Sequence, residues 1–429
     1  MKERLAIIDG VRTPFCKAGG PLAGSSADDL AARAIRELMV RTDMDPTKID
    51  ELIVGNVAQP IEAANVARVI ALKAGLPVNM IASTVHRNCA SGMEAISTAA
   101  NRIFSGEGEI YIACGAESMS NIPLIYGKKM TQLFGNLMKA KTFGQRLQTW
   151  MGFRPQFLTP IIGVQVGLTD PVCGMNMGQT AEVLAREFHA TRKDQDEFAL
   201  ISHQRASLAQ SEGRLAEEIV PVPIGPKFDT MQAVDDGPRP TQDMASLGKL
   251  RPYFDKVAGT VTVGNACPLT DGAAAVLVMS ESKAKELGLK PLGYLRDYAY
   301  AALDGRRMGI GPVHATAKLL DKTGLKLSDF ELVELNEAFA AQVIACVRAF
   351  ASDDFAKKHL GRDKALGVID PARLNVNGGA IAIGHPVGAT GARLVITLLK
   401  EMRRRGLNRG LATLCVGGGQ GAALALEVS

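Results

Sequence analysis

Residues 45–56 (DPTKIDELIVGN) are echoed by residues 325–336 (LKLSDFELVELN), and residues 263–274 (VGNACPLTDGAA) by residues 415–423 (CVGGGQGAA). Each member of the first pair reads as a strand closed by Asn. Each member of the second runs into a closing apolar strand, 275–279 and 424–428. Two matches in one order predict a duplicated unit, so two copies of one pattern must pack against each other. The pattern is βα alternation, with strands over 5–8, 52–54 and 110–114 and helices over 27–41 and 93–104, which places the chain in the α/β class. The halves are expected at 1–280 and 281–429 of the 429 residues. The surplus in the first, about 119–250, reads as an inserted loop domain with Pro/Gly-rich linkers at 220–226 and 236–240.

Charge sharpens this division. The net charge is +5, yet residues 118–169 hold no acidic residue and six cations, so the rest of the chain carries −1. One basic segment on a near-neutral body, with a single Trp, argues against a nucleic-acid binder. Within 127–158, Leu133, Phe134, Leu137 and Met138 fall at helical spacing beside Lys139 and Lys141. That composition fits an interfacial membrane helix or a loop that packs a dimer or covers substrate, and its cations would also attract phosphates. No apolar run approaches the ~18–20 residues that span a bilayer. The start MKERLAIIDG has no signal-peptide core, and seven Cys without a CxxC pair argue against a disulfide scaffold or zinc site. A cytoplasmic location and no metal are expected.

Cys89 lies in VHRNCASGM (85–93), after a β-branched run and before a helical pattern, hence at a strand-to-helix turn. A helix N-terminus there would lower its thiol pKa from about 8.5 and stabilise an anion. By position alone a buried structural Cys is the better reading, and His385 shifts the balance. It lies in NVNGGAIAIGHPVGATGAR (375–393), whose glycines let backbone approach backbone or a ligand, ahead of a helix expected over 392–402. No Gly-Lys-Ser/Thr follows, which disfavours a phosphate-cradling P-loop. Cys415 ends an apolar strand and opens a Gly-rich turn, and Asn336 of NEAFA (336–340) ends another strand. Two Cys, a His and an Asn, each at a strand end, read together as a covalent site with two proton handlers.

The Cys89 block, NEAFA, the GHP block and the terminal CVGGGQGAA resemble the thiolase family, in the family's order and along essentially the whole chain. The resemblance implies two duplicated α/β/α halves in a five-layer αβαβα body. It also implies acyl transfer between thioesters of coenzyme A, with coenzyme A as substrate and no permanently bound cofactor. Cys89 would be the nucleophile that carries the acyl group, and His385 the base that takes its proton and later faces a thioester oxygen. Cys415 would be the acid/base at the α-carbon. Asn336 would hold a water that completes one oxyanion hole with His385, and the backbone N–H groups of Cys89 and Gly417 would form the other. Met177, Phe339, Ala266 and Cys267 match positions at which the family binds substrate. Thioester exchange passes through tetrahedral oxyanions, and one lost donor costs on the order of 100–1000-fold.

Three positions depart from the family pattern. His86 stands where an Asn is usual, Asn176 where a His is usual, and 265–272 (NACPLTDG) replaces a segment whose Ser touches the pantetheine arm. PLTDGAA and the basic insertion resemble the thiolase subunit of fatty-acid β-oxidation complexes. Thiolysis of 3-ketoacyl-CoA is therefore expected, with acetoacetyl-CoA thiolysis and a non-catalytic lipid-binding role as alternatives. A decarboxylating synthase would need His at Asn336, and a Cys–His–Asn peptidase leaves Cys415 and the duplication unexplained. Expected partners are acyl-CoA and coenzyme A, a second copy in a homodimer or tetramer, a hydratase/dehydrogenase subunit, and a membrane surface at 127–158.

Overall fold

The computed structural model describes residues 3–429; Met1 and Lys2, the expected start of the first half, lie outside them. Ten strands share one sheet: β1 (Leu5–Arg12), β2 (Cys16–Lys17), β3 (Glu51–Gly55), β4 (Ile81–Val85), β5 (Ile110–Ser118), β6 (Thr270–Ser280), β7 (Gly293–Ala302), β8 (Leu332–Leu335), β9 (Arg409–Val416) and β10 (Gln420–Glu427). Their order is β8-β9-β10-β7-β1-β6-β5-β3-β4, with β2 pairing β6. In the first half β3 runs parallel to β4 and β5, while β5–β6 and β6–β1 are antiparallel. The second half repeats the scheme. β8 is parallel to β9, β9–β10 and β10–β7 are antiparallel, and a parallel bridge from Val333 to Leu374 takes the place of β4. The halves join where β1 meets β7, from Leu5 opposite Leu295 to Ile7 opposite Gly293.

The two-residue period of a strand then sorts side chains into layers. Ala273, Ala275, Leu277 and Met279 of β6 join a core with helices Ala27–Thr42 and Val66–Ala74. Ala274, Val276 and Val278 face a second core, shared with helices Ser91–Ser105 and Val387–Arg405. β10 does the same from the other side. Leu424 and Leu426 enter that shared core, whereas Ala423 and Ala425 face a third, with helices Gly311–Thr323 and Ala340–Phe350. Helices, the first half of the sheet, two central helices, the second half of the sheet and helices make five layers. Strands buried on both faces explain the unbroken apolar runs of the sequence.

The two central helices cross through glycine. A Cβ on Gly92 would lie 2.6 Å from the Ala392 nitrogen, and one on Gly391 would lie 2.5 Å from the Met93 nitrogen. The glycines after His385 therefore serve backbone–backbone approach. The helix starts at Val387, five residues before the expected 392, because Gly388 and Gly391 are helical positions at the crossing rather than loop.

Between β5 and β6 lie helices Lys128–Lys139, Phe143–Met151, Met177–Glu187 and Arg192–Ser211. Two hairpins lie there as well, Leu124–Tyr126 with Pro160–Ile162 and Val222–Ile224 with Thr230–Gln232. The stretch 220–226 is thus partly a strand, not a plain linker. The apolar face expected at 133, 134, 137 and 138 is also divided. Met130 and Leu133 turn inward while Phe134 and Met138 are exposed, because a 3.6-residue period puts 130, 133 and 137 on one side. Among the described residues no helix is long and apolar enough to cross a membrane.

Candidate active site

β4 ends at Val85, and helix Ser91–Ser105 begins six residues later. The intervening turn is held by Ser91, whose hydroxyl accepts from the Arg87 N–H (2.9 Å) and donates to the Asn88 carbonyl (2.7 Å). Asn88 has φ 42°, a left-handed conformation that Asn tolerates better than most residues. Its side-chain amide donates to the Gly417 carbonyl at 2.7 Å. The turn carrying Cys89 is thereby tied to the turn that follows Cys415. The Cys89 sulfur, partly exposed, is met by its own backbone N–H and that of Gly417. Those donors favour the thiolate, yet burial outweighs them and the thiol pKa lies above its ordinary value. The expected lowering is therefore overturned: a helix terminus offers partial charge, but the protein packed around the sulfur outweighs it.

Cys415, in β9, is buried, and its thiol is pushed well above the usual range by burial and by the sulfurs of Cys89, Cys346 and Cys267. Burial also pushes the Cys267 thiol up to about 12. His385 precedes the second central helix by two residues, and its backbone N–H donates to Thr270 Oγ1 at 3.1 Å. Its Nδ1 lies 2.6 Å from Thr390 Oγ1, which itself donates to the Pro386 carbonyl at 3.0 Å. With the hydroxyl proton so committed, Thr390 accepts from Nδ1–H, and Nε2 is left with a lone pair. Nε2 is buried without a protein partner. Burial, and secondarily Arg393, lowers the imidazole pKa to about 3, so the ring is neutral at neutral pH.

A short segment joins these blocks. Ala266 bridges Phe339, the Cys267 N–H donates to the Ala338 carbonyl at 3.0 Å, and Leu269 bridges His385. The NEAFA and GHP blocks thus dock on residues 266–269. Asn336 follows β8, is buried, and has no protein partner for either amide atom, so both are free for a ligand or water. Glu337 beside it accepts from Ser202 (2.6 Å), Asn375 (2.8 Å) and the Ile381 N–H (3.3 Å), and pins the turn to the 375–381 stretch. A carboxylate so held leaves no room for a Cβ at Gly379.

A cleft of about 560 Å³ opens over the site, with Asn88, Cys89, Glu117, Met177, Gly417 and Gly418 among its lining residues. His385, Cys415 and Asn336 are buried rather than exposed. Of the four positions expected to bind substrate, Met177 lines the cleft. It, Ala266, Cys267 and Phe339 form one apolar cluster with Cys415, in which Phe254 packs edge-on to Phe339. Asn176 caps helix Met177–Glu187, exchanging hydrogen bonds with Gln179 in a capping box. Asn88, Thr390 and Glu117 lie outside the residues expected from sequence. An Asn just before a turn Cys was a legible signal for a left-handed position; Thr390 and Glu117 had none. Glu117 is a buried carboxyl, raised to about 7 by burial, that accepts from the Val57, Ala58 and Gly388 N–H groups.

The chain matches known proteins along its whole length. The family model "Thiolase, N-terminal domain" matches residues 5–282 and "Thiolase, C-terminal domain" residues 289–428. The chain belongs to the thiolase family. A 3-ketoacyl-CoA thiolase of Pectobacterium carotovorum is 44% identical over 428 residues, covering 100% of this chain and 97% of the relative. One of Serratia proteamaculans is 44% identical over 427 residues, covering 99% and 97%. Among solved thiolase structures, Bacillus anthracis acetyl-CoA acetyltransferase superposes with TM-score 0.87 at 37% identity, covering 99% of each chain. Human mitochondrial 3-ketoacyl-CoA thiolase in complex with CoA superposes with TM-score 0.85 at 33% identity, covering 100% of this chain and 98% of that one. The resemblance read from four motifs thus extends to the whole thiolase fold.

Proposed function

We propose that this chain is a 3-ketoacyl-CoA thiolase, an acyltransferase that splits 3-ketoacyl-CoA with free coenzyme A into acetyl-CoA and an acyl-CoA two carbons shorter. The activity is a step of fatty-acid β-oxidation and runs in reverse as a Claisen condensation. His385 Nε2 takes the Cys89 proton, and the sulfur attacks the keto carbon. The alkoxide collapses, the bond between the keto carbon and the α-carbon breaks, and the leaving enolate of acetyl-CoA takes its proton from Cys415. Coenzyme A then gives its thiol proton to the Cys415 thiolate and attacks the acyl group. Cys89 leaves as thiolate and recovers the proton from His385. Asn336, through a bound water, and the His385 ring N–H stabilise one oxyanion; the Cys89 and Gly417 N–H groups stabilise the other.

The observation that carries this reading is the Cys89 sulfur facing two backbone N–H donors at the wall of the cleft. The neutral imidazole with a free Nε2 supports the base assignment, and the cluster of Met177, Ala266, Cys267 and Phe339 around Cys415 supports a wall for the thioester end of substrate. Residues 119–250 act as a loop domain over that wall. Seven free thiols are consistent with a reducing, cytoplasmic setting, and a homodimer or tetramer and a hydratase/dehydrogenase partner belong to the same reading. Intact-mass and peptide mass spectrometry after incubation with acyl-CoA should find one acyl adduct, on Cys89, absent from Cys89→Ser. An adduct on another Cys, or none, defeats the mechanism. The likeness to the Bacillus anthracis acetyltransferase favours one second reading, a preference for four-carbon substrate. Relative kcat/KM on four- and sixteen-carbon 3-ketoacyl-CoA separates the two.

A further inference from the structure

The hairpin that joins β9 to β10 turns on Gly417, Gly418 and Gly419, between Val416 and its strand partner Gln420. Its two ends are held differently. At Gly419 backbone is fixed by backbone: the Leu303 N–H donates to the Gly419 carbonyl at 2.7 Å, and a Cβ there would lie 2.2 Å from the Leu303 oxygen. At Gly417 no neighbouring backbone comes so close. A Cβ on Gly417 would meet the Met177 sulfur at 3.3 Å and the Asn88 amide nitrogen at 3.8 Å, and one on Gly418 would meet that same nitrogen at 3.8 Å. Gly418 and Gly419 have positive φ, the conformational freedom that glycine brings to a tight turn. The end whose N–H faces the Cys89 sulfur is thus the end that neighbouring backbone leaves loose. The Asn88 amide reaches it, donating to the Gly417 carbonyl at 2.7 Å.

Asn88 itself stands on a firm base. Its turn is closed by both hydrogen bonds of the Ser91 hydroxyl. The preceding Arg87 is clamped to Glu94 by two bonds, of 2.6 and 3.2 Å, and lies 4.1 Å over the Tyr300 ring. The left-handed φ of Asn88 is one that glycine adopts freely and asparagine only at some cost. A demand of the backbone alone is therefore met best by Gly; what Asn adds is an amide, and its donor is directed across the molecule to the second half. We propose that Asn88 is a positioning residue, whose amide holds the glycine hairpin so that the Gly417 N–H stays aimed at the Cys89 sulfur. The consequence for turnover rests on the thiolase reading above, in which that N–H also faces the oxyanion of the acyl-transfer step and a misaimed donor slows the reaction.

Asn88→Gly removes the amide and keeps the left-handed turn, whereas Asn88→Ala removes it and strains the turn. The Gly variant should unfold near the parent's temperature and the Ala variant below it. Both should share two losses all the same. Alkylation of Cys89 by iodoacetamide, located by peptide mass spectrometry, should reach half its plateau rate at a higher pH than in the parent, because the N–H that favours the thiolate is no longer aimed. That midpoint, unlike the plateau, does not depend on how open the cleft is. Glu117, Cys267 and Cys415, the titratable groups that face Cys89, are the same in all three proteins. On a 3-ketoacyl-CoA, kcat should fall on the order of 10-fold or more with KM little changed, since the oxyanion exists only during the reaction. A Gly variant with the parent's midpoint overturns the proposal, and a rise in KM without a fall in kcat then marks Asn88 as a wall of the cleft. If the midpoint moves but the parent shows no turnover, or the variant keeps the parent's kcat, the positioning stands and what fails is the reaction assigned to the Gly417 N–H.

Discussion

Burial acts on Cys89 and His385 in opposite directions and toward one end: both favour the uncharged form. The thiol rises above its ordinary value while the imidazole falls to about 3. Both shifts favour thiol and neutral base over thiolate and imidazolium, so in the proposed mechanism the nucleophile is made only as the proton moves to Nε2. The sign of the pH response follows. A thiolate-selective alkylating agent should inactivate the free enzyme at a rate that climbs about tenfold per pH unit through 7 and 8, without levelling until above the free-thiol value of about 8.5. A rate already flat from pH 5 upward would mean a preformed ion pair. Replacing Thr390 by Val removes the acceptor that holds the Nδ1 proton, and kcat should fall because Nε2 is no longer reserved as the base.

In the proposed mechanism the two central helices deliver the chemistry, since Cys89 precedes one and His385 the other. Their spacing rests on glycine at the crossing, where a Cβ at Gly391 meets the Met93 backbone. Gly391→Ala should therefore destabilise the protein by ~1–3 kcal/mol in chemical denaturation, because backbone cannot step aside as a flexible side chain does. Activity should fall further than stability predicts, as the two reactive turns are pushed apart. Gly24→Ala, where nothing lies within 4 Å, should change stability by less than about 0.5 kcal/mol. Elements of this kind were partly legible. The strand-to-helix turns at Cys89 and the strand end at Cys415 follow from apolar runs and turn residues. The early start of the helix after His385 does not, because glycine's low helix propensity reads as loop until a neighbouring helix is present to demand it.

At the scale of the molecule, the sheet ends on β4, an edge strand whose Ile81 is 61% exposed. Native edges of this kind are covered or charged. The homo-oligomer in the proposed reading should use it, extending the sheet across two copies. Light scattering should give at least a dimer mass, and Ile81→Lys should shift that mass toward the monomer without unfolding the chain. A parent protein that scatters as a monomer would remove this edge from the account.

The order of repeats, the α/β class and the choice of candidate side chains for the proposed chemistry were determined by the sequence, because duplication, strand and helix period and the chemistry of Cys and His are local properties. Tertiary structure alone decided the protonation of those groups, what anchors the His385 turn, and which face of 127–158 turns outward. Each depends on what a distant segment brings within a few ångströms: the Gly417 N–H beside Cys89, Thr270 and residues 266–269 against His385, and the packing that buries Met130 and Leu133. A pKa follows the dryness of a site, and dryness belongs to the assembled fold.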